Sequence, residues 1–285
     1  LLGLSWIVFM TESSRPHPFD QALVLDSRGA DSLSIKTDET YWNMAGPFGG
    51  WLLALGVKGI LTHPAARGTP VEAHARFFAA PRAGEMAVRV ELLSQGRSVG
   101  HWRAGLWQTQ EKGPRLCAEI SMILGDERPT LDVQGTSMPE VPPPEALARQ
   151  DTSLARVRWL RRFDFRYVRG IPFQPGTPQE PAEIESVLWI SHAQPRRLDW
   201  VGLAAFADVP APRPFLLTQQ PGPVATVSLS LYFHANAAEL EASGPWLLLR
   251  INGHAMRRGF FDHRVELWRS DGRLLATSTQ LAWFA

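Results

Sequence analysis

The 285-residue chain is poor in cysteine: Cys117 stands alone. No disulfide can close within the chain and no cysteine-based metal cluster can form, so a reducing, cytoplasmic home is expected. Cys117 lies in the alternating apolar run 116–124, where a thiol reads as a small buried hydrophobe. An excess of one charge is also missing. The 29 Lys and Arg against 28 Asp and Glu leave a formal +1, which gives no general pull toward nucleic acid or an acidic membrane surface. Long hydrophobic runs are lacking too. LLGLSWIVFM, residues 1–10, is too short to span a bilayer. It has neither a positive n-region nor a small-residue cleavage site. Met10 followed by TESSRPHPFD reads as a more ordinary protein start, so residues 1–9 are expected to be an upstream extension or a stray tail. HxH and HExxH spacings are absent, so His74, His101, His234, His254 and His263 read as satisfied structural histidines, and no metal is expected.

What is present is a large apolar share, 45%, enough for one large domain or two of about 100–150 residues each. Runs of period two dominate. VEAHARFF (71–78), EMAVRVELL (85–93), VGHWRAGLWQ (99–108) and LCAEISMIL (116–124) are strand-like by alternation and by their β-branched and aromatic content. PRAG (81–84) and EKGP (111–114) separate them as hairpin connections, so the sheet should be antiparallel. Before these strands, GGWLLALGVKGIL (49–61) is apolar nearly all round, as a buried helix is. The order predicts a sheet wrapped around a helix.

The second half repeats this grammar. Strand-like runs at 161–169 and 184–190 precede a short apolar helix, LDWVGLAAFA (198–207), and four more strands at 225–233, 246–255, 261–269 and 274–284. The segments 71–80, 100–108 and 114–124 lay onto 226–235, 259–269 and 272–282, so that Thr226 falls opposite Val71 and Gln280 opposite Met122. A polar residue on a core-facing strand costs stability unless it is satisfied. Polar residues in one half facing apolar ones in the other are what a single working site per chain would look like. Between the halves, 126–155 is rich in Pro, Glu and small residues and reads as an exposed linker.

The collinear blocks GPFGG (46–50), FFAAP (77–81), LLSQGRSVGHWRAGLWQ (92–108), LAAFADV (203–209), ATVSLSLYFHA (225–235), RRGFFDHRVEL (257–267) and DGRLLATSTQ (271–280) resemble bacterial acyl-CoA thioesterase II and its thioesterase-like relatives over roughly residues 20–285. The resemblance implies an α+β double hotdog: two repeats, each a helix gripped by a curved antiparallel sheet. It divides the chain into an N-terminal extension (1–19), an N-terminal hotdog (20–125), a linker (126–157) and a C-terminal hotdog (158–285). It also implies a catalytic Asp, Thr and Gln, which fall on Asp208, Thr226 and Gln280. The stretch between Asp208 and Thr226 is short for the family and Pro-rich. Self-association into a homodimer or larger homo-oligomer is expected, and no cofactor.

Such a trio can hydrolyse a thioester without a nucleophilic side chain. Asp accepts a hydrogen bond from water, Gln supplies two donors and an acceptor, and Thr a donor and two acceptors. Candidate oxyanion donors are the backbone N–H groups of Gly49, Gly50 and Trp51 at a helix start, and His234 is a candidate pocket residue. Arg97, Arg103, Arg257 and Arg258 are candidates for the CoA phosphates. Two other readings stay open: a non-catalytic acyl-CoA-binding hotdog, and a hotdog hydratase, for which Asp262 and His263 would have to act together.

Overall fold

The computed structural model describes residues 16–29, 31–153, 155–173, 184–218 and 222–285. The expectation for residues 1–9 falls outside them. The helix predicted over 49–61 is α2 (Gly49–Leu61), after a short α1 (Pro18–Gln21). The second helix, α3, is shorter than predicted (Trp200–Phe206), and a one-turn α4 spans Ala237–Glu241. The strands are β1 (Asp26–Ser27), β2 (Ser32–Lys36), β3 (Thr69–Phe77), β4 (Glu85–Gln95), β5 (Val99–Gln110), β6 (Gly113–Gly125), β7 (Phe163–Arg169), β8 (Ser186–His192), β9 (Val224–Phe233), β10 (Leu247–Asn252), β11 (Met256–Arg257), β12 (Phe260–Arg269) and β13 (Leu274–Phe284). No helix among the described residues is long and apolar enough to cross a membrane.

All thirteen strands form one antiparallel sheet in the order β1-β2-β4-β5-β6-β3-β9-β13-β12-β10-β8-β7, with β11 paired to β12. Reading outward from the middle, β3-β6-β5-β4-β2 is mirrored by β9-β13-β12-β10-β8, and in each set the helix follows the outermost strand in the chain and precedes the other four. The halves meet where β3 pairs with β9, His74 opposite Ser230, with their side chains 2.8 Å apart. On the inner face α2 is buried along almost its whole length and packs against α3. Gly50 permits that approach: a Cβ there would lie 2.5 Å from the carbonyl oxygen of Ala205. Phe48 stacks on Trp159 at 4.4 Å, and Phe163 and Phe206 extend this aromatic cluster across the two halves.

Each central strand carries a bulge. In β3, Pro70 pairs with Leu124 and Glu72 with Ile123, which leaves Val71 as the extra residue. In β9, Thr226 pairs with Ala282 and Ser228 with Leu281, which leaves Val227. Aligning the bulges puts Thr226 opposite Pro70. The predicted pairing with Val71 is therefore wrong by one residue, because a bulge is invisible to simple alternation, while Gln280 opposite Met122 fits the observed register. The bulge also has a local effect. Leu229, Leu231 and Phe233 are buried, so strict alternation would send Thr226 to the outer face. One extra residue turns it inward, a common use of bulges beside functional sites.

The linker expected over 126–155 is mostly exposed, and part of it also lies as a strap on the second half. Gln134 bonds the backbone of Gly272 and Leu274. Trp189 donates its indole N–H to the carbonyl of Pro142, and Met138, Val141 and Leu147 pack on a separate apolar cluster of Val187, Trp189, Leu248 and Trp268. Its proline-rich sequence cannot add to a sheet ladder, but it does cover an apolar outer patch.

Candidate active site

Three elements bring the polar trio together. Asp208 follows the last turn of α3, Thr226 sits on β9 just before its bulge, and Gln280 lies on the adjoining β13. The Gln280 amide nitrogen donates to Asp208 Oδ1 at 2.7 Å and also to Thr226 Oγ1. The Thr226 hydroxyl donates to the same Asp208 oxygen at 3.4 Å. The other carboxylate oxygen, Oδ2, lies against Gly49, where a Cβ would come within 2.6 Å of it.

Asp208 also meets the start of α2. Phe48, the residue at that helix cap, offers no side-chain acceptor, and the N–H of Gly50 is directed at the Asp208 carboxylate. The carboxylate thus serves as the acceptor that the helix start lacks, and the positive end of the helix dipole favours its charge. An acid just past the end of α3 is misplaced for that helix but well placed for α2. Burial nevertheless dominates and raises the Asp208 pKa to about 7, against the lowering effects of Gln280, Gly50 and Thr226. A carboxyl poised near neutrality in a cleft has the pKa that a general base needs at pH 7.

Asp208, Thr226 and Gly49 line a cleft of about 730 Å³ whose other walls include Met44, Leu52, Phe77, Phe78 and Trp283. It is mostly apolar with convergent polar groups, as small-molecule sites are. A hollow on the outer face lined by Arg82, Arg89 and Trp107 contains none of the trio.

The other candidates separate. The N–H of Trp51 bonds the carbonyl of Phe48, its indole bonds Ala22, and the residue is fully buried; it belongs to the core and is not a free donor. The Gly50 N–H is directed at Asp208, and of the three candidates Gly49 is the one that lines the cleft. His234 does not line the pocket. It lies at the far end of β9 from Thr226 and bonds Thr277 at 2.9 Å. Arg103 is paired with Glu91 at 2.5 Å. Asp262 bonds His254 at 2.6 Å toward solvent, whereas His263 points inward, so Asp262 and His263 do not share a face. Cys117 is buried, and burial raises its pKa, as expected of an inert thiol. Among the described residues no group of His, Cys, Asp or Glu could hold a metal ion.

One residue at the site was misjudged from sequence. His263, expected to be satisfied, is buried, and neither ring nitrogen has a partner at hydrogen-bond geometry among the described residues. It is the cross-strand partner of Gln280. Burial, reinforced by Arg213, pushes its pKa down to about 3, so the ring is neutral. Its alternation with Phe261 and Val265 shows it faces the core, but only the strand pairing reveals what lies beside it.

Comparison with known proteins bears on the family and the fold. Residues 39–125 match the model of the acyl-CoA thioesterase N-terminal domain, and residues 137–284 that of the acyl-CoA thioesterase C-terminal domain. The chain belongs to the acyl-CoA thioesterase family. Among solved structures, a conserved hotdog-fold protein of unknown function from Alicyclobacillus acidocaldarius is 28% identical, with a TM-score of 0.87 over 95% of this chain and 99% of that one. An acyl-CoA thioesterase II from Mycobacterium marinum is 17% identical, with a TM-score of 0.71 over 94% and 96%. The dehydratase domain of RzxB from Pseudomonas fluorescens is 14% identical, with a TM-score of 0.58 over 94% and 99%. These place the chain in the hotdog fold. A search of the curated proteins finds no match.

Proposed function

We propose that this chain is a double hotdog that hydrolyses acyl-CoA to free acid and CoA by direct attack of a water oriented by Asp208, whose carboxylate Thr226 and Gln280 hold in place. The observation that carries the reading is the Asp208 carboxyl. One oxygen is tied to Gln280 and Thr226, the other lies against Gly49, and Asp208 and Gly49 both line an apolar cleft. Water placed against that second oxygen gives up a proton as its oxygen adds to the thioester carbon. The C–S bond then breaks and the proton passes to the departing CoA sulfur. The N–H of Gly49 at the start of α2 is the candidate donor for the developing oxyanion. A Thr226 ester is the weaker route, because the hydroxyl oxygen already accepts from the Gln280 amide, which makes it a poorer nucleophile.

In this reading residues 20–125 and 158–285 are the two hotdog domains and 126–157 joins them. The protein works in the cytoplasm without a cofactor and self-associates. A hydratase is disfavoured by the opposite facing of Asp262 and His263, and a binding-only role by the intact trio. Release of free thiol from a panel of acyl-CoAs tests the reading. Wild type is expected to release thiol, and Q280A and T226V about a hundredfold more slowly each. Hydration of an enoyl-CoA without thiol release would point to the hydratase instead.

A further inference from the structure

The amide of Gln280 can be placed in only one sense. Its NH2 faces the Asp208 carboxylate and the Thr226 hydroxyl oxygen; reversing it would set its carbonyl oxygen against a carboxylate. In the observed sense Oε1 points away from the trio, and it is buried without a partner. A buried acceptor left unpaired is costly, and it leaves that end of the amide without a tether.

Beside it stands His263, opposite Gln280 across β12 and β13, with both ring nitrogens buried and unpartnered. Beyond the ring lies Arg213, in a 3-10 turn (Arg213–Leu216) that packs on β12. This arginine is 1% exposed and bonds Ser186 and the carbonyl of Ala211, while its Nε is also unpartnered. Asp262, the other charged group near the ring, is turned outward to His254. The unmet needs are complementary: Gln280 lacks a donor, Arg213 Nε lacks an acceptor, and a neutral imidazole offers one of each.

We propose that His263 is a positioning residue for hydrolysis: its ring accepts from Arg213 Nε and donates to Gln280 Oε1, which locks the amide with both N–H groups on Asp208 and Thr226. This relay rests on the thioesterase reading for its effect on rate, but the hydrogen bond itself does not. Burial and the Arg213 charge keep the ring in the neutral form that the relay requires.

The experiment compares wild type, H263L, H263N, H263Q, Q280A and Q280A/H263L by kcat, KM and thermal melting. It also follows the Gln280 side-chain amide by NMR. H263L is expected to lower kcat about tenfold with KM held within about twofold and no loss of Tm. Asn or Gln at 263 restores a donor, so at least one of those variants should regain most of the rate, and H263L should add nothing in the Q280A background. The Gln280 NH2 resonances should shift in H263L. Wild-type kcat in H263L while Q280A is crippled would overturn the relay and leave the trio standing. Full activity in Q280A would defeat the trio itself. Unchanged Gln280 amide resonances in H263L overturn the relay in either case.

Discussion

At the scale of the residue, the site is a compromise between charge and burial. Asp208 ionises at low cost in an unfolded chain but has its pKa raised to about 7 in the folded one. Between the unfolded and folded values the native state binds the extra proton, so stability falls as pH rises from about 4 to 7. Asn at 208 removes that penalty. D208N is expected to melt higher than wild type at pH 8 and at nearly the same temperature at pH 4, as differential scanning calorimetry would show. An equal or lower Tm for D208N at pH 8 would mean that the carboxylate is not held at a cost. The trio was legible because Asp208, Thr226 and Gln280 stand in blocks that resemble a family, and because Gln280 replaces an apolar residue of the other half. The contact between Asp208 and the start of α2 was not legible, since residues from opposite halves meet there. His263 was misread for the same reason: a histidine alternating with apolar residues reveals its face but not its neighbour.

At the scale of the element, two glycines at the start of α2 have separate duties. A Cβ at Gly49 would press on Asp208 Oδ2, whereas one at Gly50 would meet the Ala205 carbonyl and the Phe48 ring. G49A is therefore expected to displace the carboxyl and lower kcat at least tenfold with little change in Tm. G50A should force α2 and α3 apart and cost about 1–3 kcal/mol in denaturant unfolding. Equal effects of the two on both measurements would refute this division. Most strands were legible from alternation, and 274–284 was read to the residue. β2, SLSIK, was missed because only two of its five residues are apolar. The bulges at Val71 and Val227 were hidden because an extra residue leaves no mark in a hydrophobic pattern, and they are what shifted the alignment of Thr226. The exposure of 126–155 was legible from its prolines and polar residues, but the surface it lies on was not.

At the scale of the whole molecule, the two halves form one continuous sheet and share one site. β3 pairs with β9, α2 packs on α3, and Gly49 from the first half meets Asp208 from the second. A chain beginning at residue 126 would expose the β9 edge and the inner face of α3. It is expected to aggregate or remain inactive, and to recover activity only when residues 16–125 are supplied; activity from 126–285 alone would contradict a shared site. The repeat of strand and helix order could be read from sequence, but the joining of the halves could not, because it depends on pairing between strands about 150 residues apart.

The central claim is that a buried carboxylate at Asp208 holds the attacking water. The most direct test is the pH dependence of kcat/KM for thiol release from an acyl-CoA, in wild type and in D208N. Wild type should fall about tenfold per pH unit on the acid side of an apparent pKa near 7 and level off above it. D208N should be at least about a hundredfold slower and show no break there. A D208N profile matching wild type in height and shape would contradict the account.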